Sequence, residues 1–336
     1  MSDPKEQVAE FQKDFRRIEA ELGKVIVGHH EVIRSVLTAL FAGGHCLLEG
    51  VPGLGKTLLV RTLGSVLQLK FNRIQFTPDL MPADILGTNL VAQNAQGERV
   101  FKFQAGPIFT QIALADEINR ATPKTQSAML EAMQEHAVTV SGQRYVLEEP
   151  FLVLATQNPL EMEGTYPLPE AQLDRFLFKI MVSFSSLDEL RRILERTTDR
   201  QNLQVDKVID GAKVLVHQAL VRDVVAAPHV KDYVSRLVWA THPESELAPE
   251  SVRKFVRYGS SPRGAQSLVL AAKVAALVDG RFNAGFQDVK AAAHPALRHR
   301  ILLNFEGEAE GIKIEKLIDE ILAQVTPDLK AAAATA

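Results

Sequence analysis

Residues 50–57 set the architecture of this chain, and their sequence is Gly50-Val51-Pro52-Gly53-Leu54-Gly55-Lys56-Thr57. They fit the pattern G-x-x-x-x-G-K-[ST] at every fixed position. The glycines let the backbone curl so that several N–H groups point at one phosphate, and the helix that follows adds its positive N-terminal end. Lys56 is expected to reach the β- and γ-phosphates of a nucleotide, and the Thr57 hydroxyl to coordinate Mg²⁺. The stretch therefore predicts a phosphate-binding loop.

Short apolar runs on both sides of this loop read as buried strands. They lie at 45–49, 70–76, 112–115, 151–156 and 176–182. Helical stretches separate the runs, and strands spaced in this way pair in parallel through crossover helices. The sequence therefore predicts an α/β fold with a parallel sheet flanked by helices. Two amphipathic helices are predicted before the first strand, at 4–22 with a stop at Gly23 and at 30–42.

The second part of the chain has a different sequence pattern, because the short apolar runs that are typical of buried strands become rare beyond Ser183. Apolar residues recur there at spacings of three and four, which is typical of amphipathic helices. These helical patterns lie at 190–197, 206–221, 230–241 and 264–278. We therefore expect a domain boundary near residue 184, between an α/β nucleotide-binding core at 1–184 and a smaller, all-helical domain at 185–336.

The composition is that of a globular protein without a strongly charged surface. The 336 residues carry a formal net charge of −3, which offers no general attraction to nucleic acid or to an anionic membrane. The single cysteine, Cys46, excludes an intramolecular disulfide and favours a reducing compartment. The N-terminal residues lack the apolar stretch of a signal peptide, and no apolar run reaches the length of a membrane helix. We therefore expect a cytoplasmic protein without a membrane span.

Two adjacent acidic residues end the strand-like run at 112–115. Asp116 is expected to hold Mg²⁺ through water, and Glu117 to polarise the water that attacks the γ-phosphate. Because adjacent side chains of a strand point to opposite faces, the two carboxylates need not compete for one ion. The alternative is an ordinary strand end followed by an acidic residue that caps a helix.

Three further side chains fit phosphoryl transfer. Asn158 follows the strand-like run at 151–156, where it is expected to orient the water, although an Asn-Pro step is also a common turn. Arg175 opens the next strand-like run, and Arg263 opens a helix of the second domain. An arginine delivered from a neighbour stabilises the charge that builds on the γ-phosphate oxygens. Either arginine has the alternative of forming a surface ion pair.

Taken together, these motifs resemble those of an AAA+ ATPase, and within that superfamily those of the MoxR family. The resemblance extends over about residues 20–300. The stretches that carry it are 48–57 (LEGVPGLGKT), 75–84 (QFTPDLMPAD), 115–121 (ADEINRA), 155–159 (ATQNP) and 168–176 (LPEAQLDRF). It implies an ATPase with ATP and Mg²⁺ as cofactors, and a P-loop AAA+ core followed by a helical lid.

The resemblance also implies roles within one subunit. Residues 50–57 correspond to Walker A, Asp116 with Glu117 to Walker B, and Asn158 to sensor 1. The lid arginine, Arg263, looks like sensor 2. In the family, Val-Gly-Gln usually lies beside the adenine. The matching residues here are Val27, Gly28 and His29, so an imidazole ring stands where the family has an amide.

A role between subunits is implied for Arg175, which looks like the arginine finger that reaches the neighbouring subunit's nucleotide. Asn119 and Arg120, which follow the Walker B motif, are further candidates for the same interface. A finger delivered from a neighbour means that one subunit cannot complete its own site. The resemblance therefore implies a homo-oligomeric ring, expected to be a hexamer, in which ATP is hydrolysed at subunit interfaces.

Two β-hairpins are predicted as insertions in the core. One spans 86–106 around a turn-rich centre at 94–98, and the other spans 138–146. In related rings such hairpins sit near the central pore, so we expect them to transmit ATP-driven motion to a client. The alternative is that both hairpins are exposed elements that only shape the core.

The function implied by the resemblance is a chaperone-like remodeller or activator of partner protein complexes, often working with a von Willebrand factor A-domain protein. The alternative is a nucleic-acid motor or a transcription-activator ATPase that is built on the same ATPase core. That alternative requires basic hairpins, and Arg99 and Lys102 are the only lysine or arginine residues in 86–106. A scaffold that binds nucleotide and barely hydrolyses it is disfavoured by Glu117. We therefore expect a protein client and no nucleic-acid partner.

Overall fold

The computed structural model of the protein describes residues 3–93, 98–159, 165–198 and 204–327. Helices and strands alternate in its first part. In chain order they are α1 (Pro4–Val25), α2 (His30–Ala42), β1 (Cys46–Glu49), α3 (Lys56–Val66), β2 (Phe71–Gln75), α4 (Pro82–Leu86), β3 (Gly87–Gln93), β4 (Arg99–Ala105), β5 (Ile112–Asp116), α5 (Pro123–Glu135), β6 (Ala137–Val140), β7 (Gln143–Val146), β8 (Leu152–Gln157), α6 (Glu170–Leu173) and β9 (Phe178–Met181).

The second part, which we call the lid, is mainly helical. In chain order its elements are α7 (Leu187–Thr198), α8 (Gly211–Asp223), β10 (Val225–Ala226), α9 (Pro228–Trp239), α10 (Glu250–Phe255), β11 (Val256–Tyr258), α11 (Pro262–Val278), β12 (Asn283–Ala284), α12 (Phe286–Leu297), β13 (Leu302–Leu303), α13 (Phe305–Ala309) and α14 (Ile314–Gln324). The segment between β9 and α7 contains residue 184, where we propose the domain boundary.

A five-stranded sheet forms the centre of the core. Its strands lie in the order β2-β5-β8-β1-β9, and every neighbouring pair is parallel. All residues of β5 and nearly all of β8 are buried, as expected for parallel strands that helices cover on both faces. The predicted α/β fold is confirmed, and its topology places the carboxyl ends of β5, β8 and β1 side by side.

The two N-terminal helices, α1 and α2, pack against both the core and the lid. The ring of Phe41 on α2 lies 5.0 Å from that of Phe11 on α1, centroid to centroid. His217 on α8 contacts Asp14 on α1, with 3.0 Å between Nε2 and Oδ2. One continuous apolar cluster contains buried residues of both the core and the lid. The lid is thus attached through packing as well as through the chain.

The lid differs from the all-helical domain that we predicted. It contains a parallel pair, β10 with β12, and an antiparallel pair, β11 with β13. These strands are two or three residues long, which is too short for an alternating pattern to show in the sequence. None of the helices in the described ranges combines the length and the apolar character needed to cross a bilayer.

Both predicted hairpins are present as antiparallel pairs, β3 with β4 and β6 with β7. The ring of Phe103 on β4 stacks on that of Tyr145 on β7, with centroids 3.9 Å apart, so the hairpins support each other. Residues 94–97 of the predicted turn centre lie outside the described residues. Toward this turn the first hairpin exposes apolar side chains, including 62% of Val91 and 80% of Phe101.

A buried arginine ties the lid to the segment before β9. Arg300 has a side chain that is only 2% exposed, and its Nε donates a hydrogen bond of 2.8 Å to Asp174 Oδ1. Its Nη2 donates to the carbonyl oxygens of Asp174 and Phe176, at 3.0 and 2.7 Å. From the start of α11, the Ser261 hydroxyl lies 2.8 Å from both carboxylate oxygens of Asp174. Asp174 is therefore a polar connection between the two parts that involves two residues of the lid, Ser261 and Arg300.

Replacing Arg300 by methionine is expected to lower the free energy of unfolding by about 3 kcal/mol, because the substitution leaves the Asp174 carboxylate without its buried partner. Urea denaturation followed by circular dichroism measures this loss. Arg257→Met is a suitable control, since it removes the same charge from an exposed position of the lid. Equal stability of the two variants would contradict the role given to the Arg300–Asp174 pair.

Candidate nucleotide site

The candidate site lies where three neighbouring strands end. The loop 50–57 follows β1, Asp116 is the last residue of β5, and Asn158 follows β8. Together they contribute to a cavity of about 390 Å³, whose lining includes Lys56, Thr57 and Glu117. Ligands of parallel α/β sheets bind at the carboxyl ends of the strands, where this cavity lies. The structure therefore brings together the residues of the two predicted Walker motifs and the predicted sensor 1.

The phosphate-binding loop has a backbone that needs glycine at particular positions. Gly53 and Gly55 have φ of 84° and 76°, in the left-handed region that other residues rarely adopt. Gly50 lies so close to the neighbouring strand end that a Cβ would come within 2.5 Å of the Val182 carbonyl oxygen. After the loop, α3 begins at Lys56, so the N-terminus of this helix faces the cavity.

Lys56 is half-buried at the start of α3. Its Nζ donates a hydrogen bond of 2.6 Å to the carbonyl oxygen of Gly50, across the loop. Burial lowers the pKa of Lys56, and the opposite charges of Asp116, Glu117 and Glu49 raise it only in part. The ammonium group is thus poorly solvated and interacts with three carboxylates. Such a group gains strongly from an anionic ligand.

Asp116 is held by two neighbouring strands. On one side its Oδ1 accepts a hydrogen bond of 2.6 Å from the Thr156 hydroxyl of β8. On the other side its Oδ2 accepts two hydrogen bonds from Arg73 of β2, at 2.9 Å from Nε and 2.7 Å from Nη2. The carboxylate is therefore fixed in orientation, and it carries a cationic partner that we did not predict.

Glu117 leaves the strand in a left-handed conformation, with φ of 57°. Its N–H donates a hydrogen bond of 2.8 Å to the Thr156 hydroxyl oxygen, so one threonine holds both acidic residues. Its Oε2 accepts from Gln75 Nε2 at 2.9 Å and from Arg120 Nη1 at 3.0 Å. The Glu117 carboxylate thus has a defined position within the cavity.

The two predicted arginines lie elsewhere. Arg175 and Arg263 both contribute to a second cavity, of about 210 Å³, and neither is among the described residues that line the phosphate-loop cavity. Arg175 Nη1 donates a hydrogen bond of 2.8 Å to the Leu130 carbonyl oxygen of α5. Arg263 Nη1 lies 3.7 Å from Asp174 Oδ2. The structure therefore groups these arginines with each other and not with the loop of their own chain.

The predicted adenine neighbours form the turn before α2. Val27 and Gly28 are buried, and both Gly28 and His29 have left-handed φ, of 68° and 54°. Glu189, near the start of α7, lies so close to Gly28 that a Cβ there would come within 2.2 Å of its Oε1. Among the described residues, those that line the phosphate-loop cavity do not include Val27, Gly28 or His29. Their contact with adenine stays a prediction.

Three residues of the site were not predicted as such: Arg73, Gln75 and Thr156. Arg73 and Gln75 are two positions apart on β2, so they lie on the same face, beside β5. The sequence carries a partial signal for them, because the polar residues Arg73 and Gln75 alternate with the apolar residues Ile74 and Phe76. That signal identifies an exposed face and leaves the neighbouring strand unknown.

The chemistry of the cavity suits Mg²⁺ with a nucleotide. The Thr57 hydroxyl and the Asp116 carboxylate are oxygen ligands of the kind that Mg²⁺ prefers. Lys56 and the loop N–H groups supply positive charge for phosphate oxygens. At Gly53 and Gly55, apart from the adjacent residues of the chain, no heavy atom of the described residues lies within 4 Å of where a Cβ would be, so the loop is open on that side. The residues present therefore fit the predicted ligand.

A parallel five-stranded sheet with these loops and a helical lid defines an AAA+ ATPase. A family model described as "ATPase family associated with various cellular activities (AAA)" matches residues 45–178, and a model for the AAA lid domain matches residues 250–321. Within this class the chain belongs to the MoxR family, which confirms the resemblance noted from the sequence motifs.

The similarity to individual relatives extends over most of the chain. Chaperone MoxR1 of Mycobacterium tuberculosis is 43% identical over 314 residues, which are 91% of this chain and 80% of the relative. Protein MoxR of Paracoccus denitrificans is 31% identical, over 95% of this chain and 97% of the relative. A protein of Cytophaga hutchinsonii with a crystal structure is 42% identical in sequence. Its structure matches this one with a TM-score of 0.89, over 96% of this chain and 97% of that protein.

Proposed function

We propose that this protein hydrolyses ATP with Mg²⁺ at sites shared between copies in a ring, and that it uses the energy to remodel or activate partner protein complexes. The observation that carries the proposal is the cavity that gathers Lys56, Thr57, Asp116, Glu117 and Asn158 at the carboxyl ends of three strands. This set contains the groups that bind phosphate, hold the metal and activate water.

Within one copy, each side chain has a task that its position supports. Lys56 and the loop N–H groups hold the phosphates, and Thr57 and Asp116 would hold Mg²⁺, which would neutralise phosphate charge. Glu117 accepts the proton of the attacking water, and its carboxylate is kept in place by hydrogen bonds from Gln75 and Arg120. Asn158 orients that water.

The arginines support a shared site. Arg175 and Arg263 line a cavity other than that of their own phosphate loop, so in this arrangement they are placed to act outside it. In a head-to-tail ring, which we propose to be a hexamer, both arginines face the nucleotide of the neighbouring copy. For Arg263, this proposal replaces the role within its own subunit that the family resemblance implied. Asp174, which pairs with Arg263 and also binds Arg300, links a change at that interface to the lid.

The client is proposed to be a protein that contacts the first hairpin. Near its turn, this hairpin exposes apolar side chains that offer contact area to such a protein: Leu90, Val91, Val100 and Phe101. The relative from Mycobacterium tuberculosis is named a chaperone, and this name agrees with a protein client. A partner with a von Willebrand factor A domain remains part of the proposal on the strength of the family resemblance.

Glu117→Gln is expected to reduce ATP hydrolysis by about 10²–10⁴-fold while ATP binding is kept, because the amide cannot accept the proton of the attacking water. Phosphate release measures turnover, and calorimetry with ATP and Mg²⁺ measures binding. Glu148→Gln is a matched control, since Glu148 forms an exposed ion pair with Lys70 away from the site. Turnover of Glu117→Gln at the rate of the parent would favour the scaffold alternative.

A nucleic-acid motor is distinguished by its response to DNA and RNA. We expect ATP hydrolysis to change by less than about twofold when either polymer is added, because binding of nucleic acid relies on contacts from cations to phosphates. The assay is repeated at low and high salt. A several-fold stimulation that disappears at high salt would contradict a protein client as the main substrate.

A further inference from the structure

Arg73 lies on β2, the edge strand of the sheet next to β5. Its side chain crosses to the end of β5, where two of its nitrogens donate to the same oxygen of Asp116, Oδ2. The guanidinium group also contacts the side-chain oxygen of Gln75. Arg73 lines the phosphate-loop cavity together with Lys56 and Thr57. It is therefore a cation within the nucleotide site of its own chain, in addition to the lysine of the loop.

The contacts of Asp116 leave little free capacity for another partner. Oδ1 accepts from the Thr156 hydroxyl, and Oδ2 accepts twice from Arg73. The Asp116 side chain is only 13% exposed, whereas that of Arg73 is 48% exposed. Of the two partners of Asp116, Arg73 is thus the one with open space to move into. Thr156 is buried and also holds the N–H of Glu117.

We propose that Arg73 is a counter-cation that competes with Mg²⁺ for Oδ2 of Asp116, and that this competition sets how strongly Mg²⁺ and nucleotide promote each other's binding. The proposal rests on the proposed function, because it takes Asp116 as the Mg²⁺ residue. A guanidinium and a divalent cation both need the negative charge of this oxygen, and each weakens the binding of the other. When Mg²⁺ occupies the site, Arg73 moves toward the open cavity.

This competition has a consequence for binding without metal. With Arg73 present, the negative charge of Asp116 is balanced, so a nucleotide that carries no Mg²⁺ meets less repulsion. Without Arg73, the free carboxylate repels metal-free nucleotide and binds Mg²⁺ more tightly. Both effects raise the ratio of the ADP dissociation constant in EDTA to that in Mg²⁺. Since linkage is reciprocal, this ratio reports the coupling between metal and nucleotide.

The test measures this ratio by calorimetry, with ADP as the probe so that no turnover occurs. We expect Arg73→Met to raise the ratio about fivefold, the size of effect given by one partly exposed charge pair. Lys70→Met is the matched control: it removes one positive charge just before β2, from an exposed ion pair with Glu148. Its ratio is expected to stay within about twofold of that of the parent.

A second neutral variant, Arg73→Gln, keeps the test valid if methionine disturbs folding, and circular dichroism checks both variants. An unchanged or smaller ratio in a folded Arg73 variant, with ADP still bound, would overturn the competition. An equal rise in Lys70→Met would also overturn it, because a general charge effect would then be responsible. If the parent binds no ADP with or without Mg²⁺, the proposed function itself fails, and that result is distinct from the other two.

Discussion

Replacing Lys56 by alanine is expected to abolish measurable ATP binding, with an affinity loss of at least about a hundredfold. The ammonium group is half-buried among three carboxylates and is the only lysine lining the described phosphate-loop cavity. A charge-assisted hydrogen bond to a phosphate oxygen in such a place is among the strongest polar contacts that a protein makes. Isothermal titration with ATP and Mg²⁺ measures the loss.

The control for this prediction is Lys70→Ala, which removes an exposed lysine from the same region of the core. Because Lys56 also donates to the Gly50 carbonyl oxygen, thermal melting must show that the Lys56 variant is folded. Tight ATP binding by folded Lys56→Ala would show that residues 50–57 are not the phosphate site.

Replacing Arg175 by alanine is expected to leave ATP affinity within a few-fold of the parent and to reduce turnover by about 10³-fold or more, as loss of an arginine finger does. The reason is its placement, since Arg175 lines a cavity other than that of its own phosphate loop. Phosphate release measures turnover, and Arg257→Ala serves as a control at an exposed arginine of the lid.

Mixing distinguishes a finger from an arginine that only supports its own chain. Arg175→Ala copies retain Lys56, and Lys56→Ala copies retain Arg175, so a mixed ring contains interfaces with both groups intact. We expect activity to appear on mixing two inactive variants. Since Arg175 also holds the Leu130 carbonyl oxygen, melting of the alanine variant must be compared with that of the parent. Absence of activity in demonstrably mixed rings would argue against delivery between copies.

The features that could be predicted are those with a local cause. The loop 50–57 needs glycine where the backbone turns, and its lysine and threonine follow at fixed spacing. Asp116 and Asn158 stand where apolar runs end, and parallel strands bring such ends to one edge of the sheet. The sheet and the cavity that gathers these residues therefore follow from short stretches of sequence.

The features that could not be predicted depend on which elements are neighbours. Arg73 becomes a partner of Asp116 only because β2 pairs with β5, and no spacing in the chain encodes that pairing. The same holds for Arg263, whose partner Asp174 is distant in sequence. The predicted stop at Gly23 was wrong, since α1 continues to Val25. A glycine costs a helix only about 1 kcal/mol, and the packing of this long helix outweighs that cost.

The measurement that tests the central claim most directly is calorimetry of the unmodified protein with ATP and Mg²⁺. The account predicts saturable heat of binding, and it predicts that this heat is lost in Lys56→Ala. The titration is repeated at several temperatures, because a binding enthalpy that is zero at one temperature is not zero at the others. If the folded protein gives no heat of binding at any of them, the claim that residues 50–57, Asp116 and Glu117 form a nucleotide site is contradicted.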